Sequence, residues 1–271
     1  MAKNKEEYGV MKKLFFVLIV SIVNLAAVVH TQIKYEATLS VLGKIGEAEL
    51  TVRHSEHRYE VTLFAKATGL AAVISGNEED LLISRGRMTN GRMVSEHYEQ
   101  QKRSNERTEI IQFEVDNSAQ KIHKYVEKNE TVTESLLDVF SMSYSEESHQ
   151  VITREEEVLD YYSDYDPISS LASLHLFIEL HNPFHIRAIG AVKEDVDVIM
   201  TRLKGPDFVT WEHLIEEKSY DQLLMVRIIN HQKEKEHSAL VFLDAEGMIL
   251  EIIGTKWVFP VGYGSLRRIE N

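Results

Sequence analysis

The stretch that decides the fold is IKYEATLSVLGKIGEAELTV, residues 33–52. Its first half alternates apolar and polar side chains, beginning with Ile33 and Lys34. An alternation with period two is typical of a β-strand that has one buried face and one solvated face. Gly43 and Gly46 mark a turn, after which the alternation resumes. The stretch therefore predicts a β-hairpin.

The same alternation recurs along most of the chain. Further predicted strands cover residues 59–65, 81–84, 93–99, 109–115 and 121–126 and, in a second group, 185–192, 196–203, 208–214, 223–230, 238–243 and 248–253. Because strands follow strands with few helices between them, we expect antiparallel pairing. The predicted fold is all-β and mainly antiparallel: a curved sheet, a half-barrel or a lipocalin-like barrel with one buried helix. Five side chains should point into one apolar interior, namely Tyr35, Leu39, Leu50, Val61 and Phe113.

The buried helix is predicted to begin at Asp166-Pro167 and to run toward Leu180, with apolar residues almost all round. Asp166 offers an N-cap oxygen, and proline suits the first helical position. Asp166 and Ser169 can exchange hydrogen bonds with the first amides in a variant of the capping box. This structural interpretation is preferred to a catalytic Ser–Asp pair.

The N-terminus has the layout of an export signal, since an uncharged apolar run over residues 14–29 follows Lys12 and Lys13. Residues 1–31 are predicted to be a signal peptide or an N-terminal anchor, and Met11 offers a second start. We expect an exported protein, with this segment either cleaved or kept as an anchor. Residues 32–271 then form a single β-rich domain.

An acidic insertion is predicted within that domain at about residues 127–163, as a loop with one short helix. It begins with Glu127-Lys-Asn129-Glu-Thr131, which matches an acceptor pattern of some bacterial N-glycosylation systems. Such short patterns arise often by chance, so modification of Asn129 is an alternative only.

The composition excludes several classes of protein. Lys and Arg number 30 against 43 Asp and Glu, and a net charge of -13 repels the phosphate backbone that a nucleic-acid-binding protein must neutralise. Cysteine is absent, which excludes disulfides, thiolate metal sites, a Cys nucleophile and a lipidated cysteine. The chain has no G-x-S-x-G elbow, no HExxH pattern and no phosphate-binding glycine loop before a helix.

Four possible metal ligands fall close together in the sequence: His175, Glu179, His181 and His185. Pro183 interrupts them, so they do not share one continuous helix. We assign no catalytic, cofactor-binding or metal-binding residue and predict no cofactor.

The chain carries, in this order, Tyr35, Gly43, Gly46, Gly69-Leu70, Gly86, Asn90-Gly91, Asp116 and the Asp166-Pro-Ile-Ser169-Ser170-Leu171 element. These short motifs resemble a family of Gram-negative envelope proteins, domain of unknown function 3108. The resemblance spans about residues 33–180, and the acidic segment after Glu127 is a departure from it. It implies a periplasmic or envelope location and an all-β curved-sheet or half-barrel fold, with no assigned activity. If the N-terminal segment is uncleaved, the expected location is the inner membrane, to which that segment would anchor the domain.

Three functional hypotheses follow. The first is a non-enzymatic envelope protein that binds a lipid-like or other hydrophobic small molecule in a β-sheet concavity. The second is an envelope interaction scaffold that engages a protein partner through an edge strand or the acidic segment. The third is a metal-assisted hydrolase built around His175. Membrane contact is expected only through the N-terminal segment, if it is uncleaved.

Overall fold

A computed structural model describes residues 29–138, 143–174, 183–190, 196–216, 218–230, 235–255 and 263–269. Residues 1–28, which hold most of the predicted signal or anchor, lie outside the described residues, and Val29 begins the first strand. Among the described residues, no helix combines the length and the apolar character needed to cross a membrane.

The described residues form a single sheet of fourteen antiparallel strands, which confirms the predicted all-β class. In chain order the strands are β1 (Val29–Leu39), β2 (Gly43–His54), β3 (Arg58–Ala67), β4 (Glu79–Thr89), β5 (Arg92–Arg103), β6 (Arg107–Asp116), β7 (Lys121–Asp138), β8 (Ser143–Val158), β9 (Phe184–Arg187), β10 (Val196–Arg202), β11 (Gln222–Asn230), β12 (Lys235–Leu243), β13 (Ile249–Gly254) and β14 (Gly264–Ile269). Their spatial order is β8-β7-β6-β5-β4-β3-β2-β1-β14-β13-β12-β11-β10-β9. The last strand therefore pairs with the first, while β8 and β9 are the two edges of an open sheet.

The helices are few and short. They are α1 (Gly69–Ser75), α2 (Pro167–Ala172), a 3-10 helix (Gly205–Trp211) and α3 (Glu212–Ile215). Helix α2 begins where the sequence predicted, and residues 175–180 of its predicted length lie outside the described residues.

Two local predictions are wrong. The acidic segment is no loop with a short helix: β7 continues to Asp138 and β8 begins at Ser143, so two long strands form a hairpin whose residues 139–142 are outside the described part. Residues 208–214, predicted as a strand, lie in the 3-10 helix and α3. Helix α1 and strand β14 were not predicted.

The sheet curls around its main core. Tyr35, Leu50, Val61 and Phe113 are buried in one cluster, as predicted, whereas Leu39 is only partly buried and lies outside that cluster. Strands β5 and β9 are ten positions apart in the sheet, or about 48 Å if it were flat. Yet the Gln100 side-chain amide of β5 donates to the carbonyl of Gly190, just after β9, at 3.0 Å. The two halves of the sheet therefore face each other across a shared interior.

A second, smaller core lies on the outer face of the C-terminal half. It consists of Leu223, Met225, Leu240, Phe242 and Ile253. The 3-10 helix and α3 cover it through Phe208, Trp211 and Leu214. The 3-10 helix and α3 therefore pack on the outer face of the sheet and do not enter the concavity.

Candidate functional site

The start of α2 is held by a buried network centred on Asp166, which is fully buried. One carboxylate oxygen, Oδ1, accepts from the backbone N–H groups of Ile168 (3.1 Å) and Ser169 (2.9 Å). The other, Oδ2, accepts from the hydroxyls of Ser84 (2.5 Å) and Ser169 (2.8 Å). The Tyr59 hydroxyl lies 3.0 Å from that of Ser84 and completes the chain. The network therefore joins α2 to β3 and β4.

This geometry confirms that Asp166 is the N-cap, with one correction. The Ser169 hydroxyl donates to the Asp166 carboxylate and to its carbonyl, so it does not accept from the Asp166 amide as a capping box requires. Burial raises the pKa of the Asp166 carboxyl, against the lowering effect of the Ser169 amide and the Ser84 and Ser169 hydroxyls. Every contact described for the carboxylate serves the helix or the sheet.

An apolar groove on the inner face is the strongest candidate for a binding site. Its volume is about 410 Å³, and strands β1, β2, β3, β13 and β14 contribute to it. Small residues are neighbours across its floor: Gly46 pairs with both Ala37 and Ala67, and Ala48 pairs with Ala65. Because these positions lack large side chains, the sheet surface is low there and the interior remains open.

Larger apolar side chains and two helices form the walls of this inner groove. Leu171 of α2 lies on one side, and Ala71 and Ser75 of α1 lie at the end where β3 stops. The position of Leu171 depends on the Asp166 network, because Asp166 caps the short helix that carries it. The buried polar network is thus a support for the groove wall.

Four charged residues line the inner groove, Asp80 together with Glu47, Lys66 and Glu78, and Asp80 is the one that shares the inner face with the alanine floor. Asp80 pairs with Ala65 and therefore shares its inner face. Partial burial raises the pKa of the Asp80 carboxyl, with Lys102 on the neighbouring strand opposing that effect. A carboxyl at the margin of an apolar groove can hydrogen-bond the polar end of an amphiphilic molecule.

A wider groove of about 640 Å³ lies on the outer face, beside the smaller core. Its buried carboxylate, Glu251, accepts from Lys218 Nζ at 2.5 Å and from Arg267 at 3.2 Å. Two cations thus hold one carboxylate and leave this part of the lining positively charged, so it offers little to an apolar molecule. We interpret this outer groove as a structural ion-pair network.

The other candidates from the sequence are not brought together by the described residues. His185 lies exposed on β9, while His175, Glu179 and His181 fall outside the described residues. Within the described ranges, no three His, Asp or Glu side chains are grouped to hold a metal ion. Asn129 lies within β7, paired with Ile152 of β8.

Sequence reasoning missed the strand residues of both sites. Ser84 and Tyr59 occupy inward positions of β4 and β3, and a serine at an otherwise apolar inward position was the available signal. The alternating pattern identifies Ala48 and Ala65 only as apolar positions, although it is their small size that opens the groove.

Comparison with known proteins gives one match. The family described as "Protein of unknown function (DUF3108)" matches residues 34–145, from β1 into the start of β8. This confirms the resemblance to that family of unknown function over residues 34–145, a segment that ends before the Asp166 element. No curated protein and no solved structure matches the chain.

Proposed function

We propose that the inner groove binds a lipid-like or other hydrophobic small molecule, and that the protein is a non-enzymatic component of a Gram-negative cell envelope. The observation that carries the proposal is the row of small residues at Ala37, Gly46 and Ala67, beside Ala48 and Ala65, which opens an apolar groove. Its volume of about 410 Å³ falls in the range of ordinary small-molecule sites, about 300–1,000 Å³.

The proposed ligand lies with its apolar part on the alanine floor and its polar end toward Asp80. The raised pKa of Asp80 favours a head group that hydrogen-bonds a carboxyl over a strongly acidic one, since a second negative charge beside Asp80 would be repelled. The Asp166 network belongs to the scaffold in this proposal, so no bond-making step is assigned to it.

Binding is tested with an uncharged apolar fluorescent probe such as N-phenyl-1-naphthylamine. Ala65→Phe should weaken binding by about tenfold or more because the ring occupies the groove beside Ala48. Thr62→Phe is the matched control, since it lies on the same strand but faces outward. Unchanged binding by Ala65→Phe, or no probe binding by the unmodified protein, contradicts the proposal.

Two further measurements test its other parts. Native mass spectrometry of protein purified from its own envelope fraction should show a bound apolar molecule. Cell fractionation with sequencing of the mature N-terminus should place the protein outside the cytoplasm, because Lys12-Lys13 and the apolar run have the features of an export signal. A cytoplasmic protein with an intact N-terminus contradicts the envelope location.

The edge strand β8 favours a second candidate function, the interaction scaffold. Over its sixteen residues it pairs with β7 alone among the described strands, and Val151, Ile152 and Val158 are 40%, 56% and 54% exposed. Such an edge can accept a strand from another chain, although Arg154 and the glutamates beside it discourage indiscriminate pairing. Crosslinking from Ile152→Cys in intact cells should then give one discrete protein adduct that Thr62→Cys does not, and its absence contradicts the scaffold.

A further inference from the structure

One end of the sheet carries exposed apolar side chains on two adjacent connections. These are the β1–β2 turn, residues 40–42, and helix α1. The turn follows β1 and the helix follows β3; these two strands run in the same direction and terminate at the same end of the sheet. The Thr68 N–H donates to the Ile45 carbonyl at 2.9 Å, which fixes the start of α1 beside β2. We define the apolar tip as five residues: Val41, Leu42, Leu70, Val73 and Ile74.

The apolar tip is unusually exposed. Val73 and Ile74 are 76% and 77% exposed, Leu70 is 63% exposed, and α1 has no buried residue. Of the large apolar side chains in the described ranges, Val209 alone outside the tip is as exposed as these. Exposed apolar clusters of this kind mark contact surfaces in soluble domains.

The chain also lacks charge at the apolar tip. Residues 39–43 and 67–77 contain no charged side chain, whereas 16 residues at the overall 27% would contain about four. Nearby lysines are compensated, since Lys44 lies 3.2 Å from Glu36 and 2.7 Å from Glu47, and Lys66 lies 3.2 Å from Glu47. The tip is therefore apolar without a basic rim.

The inner groove reaches this same end of the sheet. Its lining includes Ile45, Gly46, Ala67, Ala71 and Ser75, which all belong to the ends of β2 and β3 or to α1. A hydrophobic molecule that enters the groove beside α1 thus passes the apolar tip.

We propose that the apolar tip docks on the surface of a lipid bilayer and that the groove ligand is exchanged with the bilayer there; the second part rests on the proposed function. A protein partner fits less well, because a standard protein interface uses about 20–30 residues a side and the tip offers five. Since the tip has no basic rim and the chain is acidic, the apolar side chains drive docking, which is insensitive to salt and needs no anionic lipid.

The test uses the full chain, which has no cysteine, so one introduced thiol gives a single label. An environment-sensitive dye is attached at Val73→Cys or at the control Val158→Cys, which is 54% exposed at the opposite end of the sheet. With phosphatidylcholine vesicles, the dye at position 73 should shift to the blue equally at low and high salt, and the dye at position 158 should not. Because the shift is position-specific, attachment through residues 14–29 does not imitate it.

A second variant tests whether the apolar side chains of the tip drive docking. With the dye at Val41→Cys, adding Ile74→Asp should raise the vesicle concentration needed for the shift by about tenfold or more, while vesicle-free binding of the groove probe is unchanged. If the unmodified protein does not bind the groove probe but the dye at position 73 still shifts, the proposed binding function of the groove is wrong and the docking of the apolar tip is supported.

Several outcomes overturn the inference. Two concern the vesicles: no blue shift of the dye at position 73, or an equal shift at positions 73 and 158. A shift that grows with protein concentration in the absence of vesicles would indicate docking of a second copy. A shift seen only with vesicle-free envelope proteins would indicate a protein partner.

Discussion

Replacing Asp166 separates a structural carboxylate from a functional one. In Asp166→Ala, the amides of Ile168 and Ser169 and the Ser84 hydroxyl lose their acceptor, while the Ser169 hydroxyl keeps the backbone carbonyl of residue 166. Loss of an N-cap costs about 0.5–2 kcal/mol, and one buried hydroxyl left unsatisfied costs about 1–3 kcal/mol. We expect the free energy of unfolding to fall by about 1.5–5 kcal/mol, which lowers Tm by about 3–20 °C.

Asp166→Asn should remain close to the parent. Its side-chain oxygen still accepts from the two amides, and its NH2 group donates to the hydroxyls of Ser84 and Ser169, which rotate to accept. Because burial raises the pKa of Asp166 in the folded protein, the unfolded chain releases this proton first as pH rises, which lowers the stability of the parent but not that of the Asn variant. The parent's stability relative to Asn should therefore be greatest below about pH 4 and should decline as pH rises through the raised pKa.

Thermal and denaturant melts of the three proteins across this pH range are the assay. Equal melting of the Ala and Asn variants would refute the capping argument, and a parent that gains on Asn as pH rises would refute the direction of the pKa shift. A stable Asn variant that loses probe binding or its role in the cell would show that the carboxylate acts directly, and would reopen the enzyme hypothesis.

Other predictions follow from individual positions. Leu50→Asp should prevent stable folding, because Leu50 is 1% exposed in the main core; a cooperative melt near that of the parent contradicts this. Gly86→Ala should cost about 1–3 kcal/mol or more, since its Cβ would lie 2.0 Å from the Val94 carbonyl, whereas Gly91→Ala, with open space, tests only the positive φ. Burial raises the pKa of Tyr35 to about 12, so Tyr35→Phe should leave the phenolate absorbance gained between pH 9 and 11 almost unchanged; a loss of one tyrosine's share contradicts this.

Alternation in the sequence predicted the strands well wherever one face is buried. The pattern from Ile33 becomes β1 and β2, and the Asp-Pro pair marks the start of α2. It failed in the acidic segment because both faces of the β7–β8 hairpin carry polar residues, so no period is visible. There the strand pairing is visible only in the register of the folded sheet. Glu127 of β7 pairs with Arg154 of β8, and Arg154 Nε lies 2.8 Å from the Glu127 carboxylate.

The error at residues 208–214 has a different cause. Phe208, Trp211 and Leu214 pack on the outer core at intervals of three residues, which is a helical spacing. The preceding Gly205, at φ +53°, turns the chain out of the sheet. A short apolar run between two strands predicts another strand, because the sequence does not show that the sheet has a second apolar face.

The groove could not be predicted from the sequence of any single strand. Alanine at positions 48 and 65 is ordinary in a β-strand, and an opening forms because the register makes these residues neighbours, with Gly46 beside Ala37 and Ala67. An open groove of this kind is retained only if its walls are fixed. Leu171 is fixed by the Asp166 network. A buried carboxylate thus supports the wall of an apolar groove, which gives a carboxylate placed among serines and a tyrosine a structural role. It also predicts that Asp166→Ala should loosen the groove and reduce probe binding in proportion to its loss of stability, whereas Asp166→Asn should leave both unchanged.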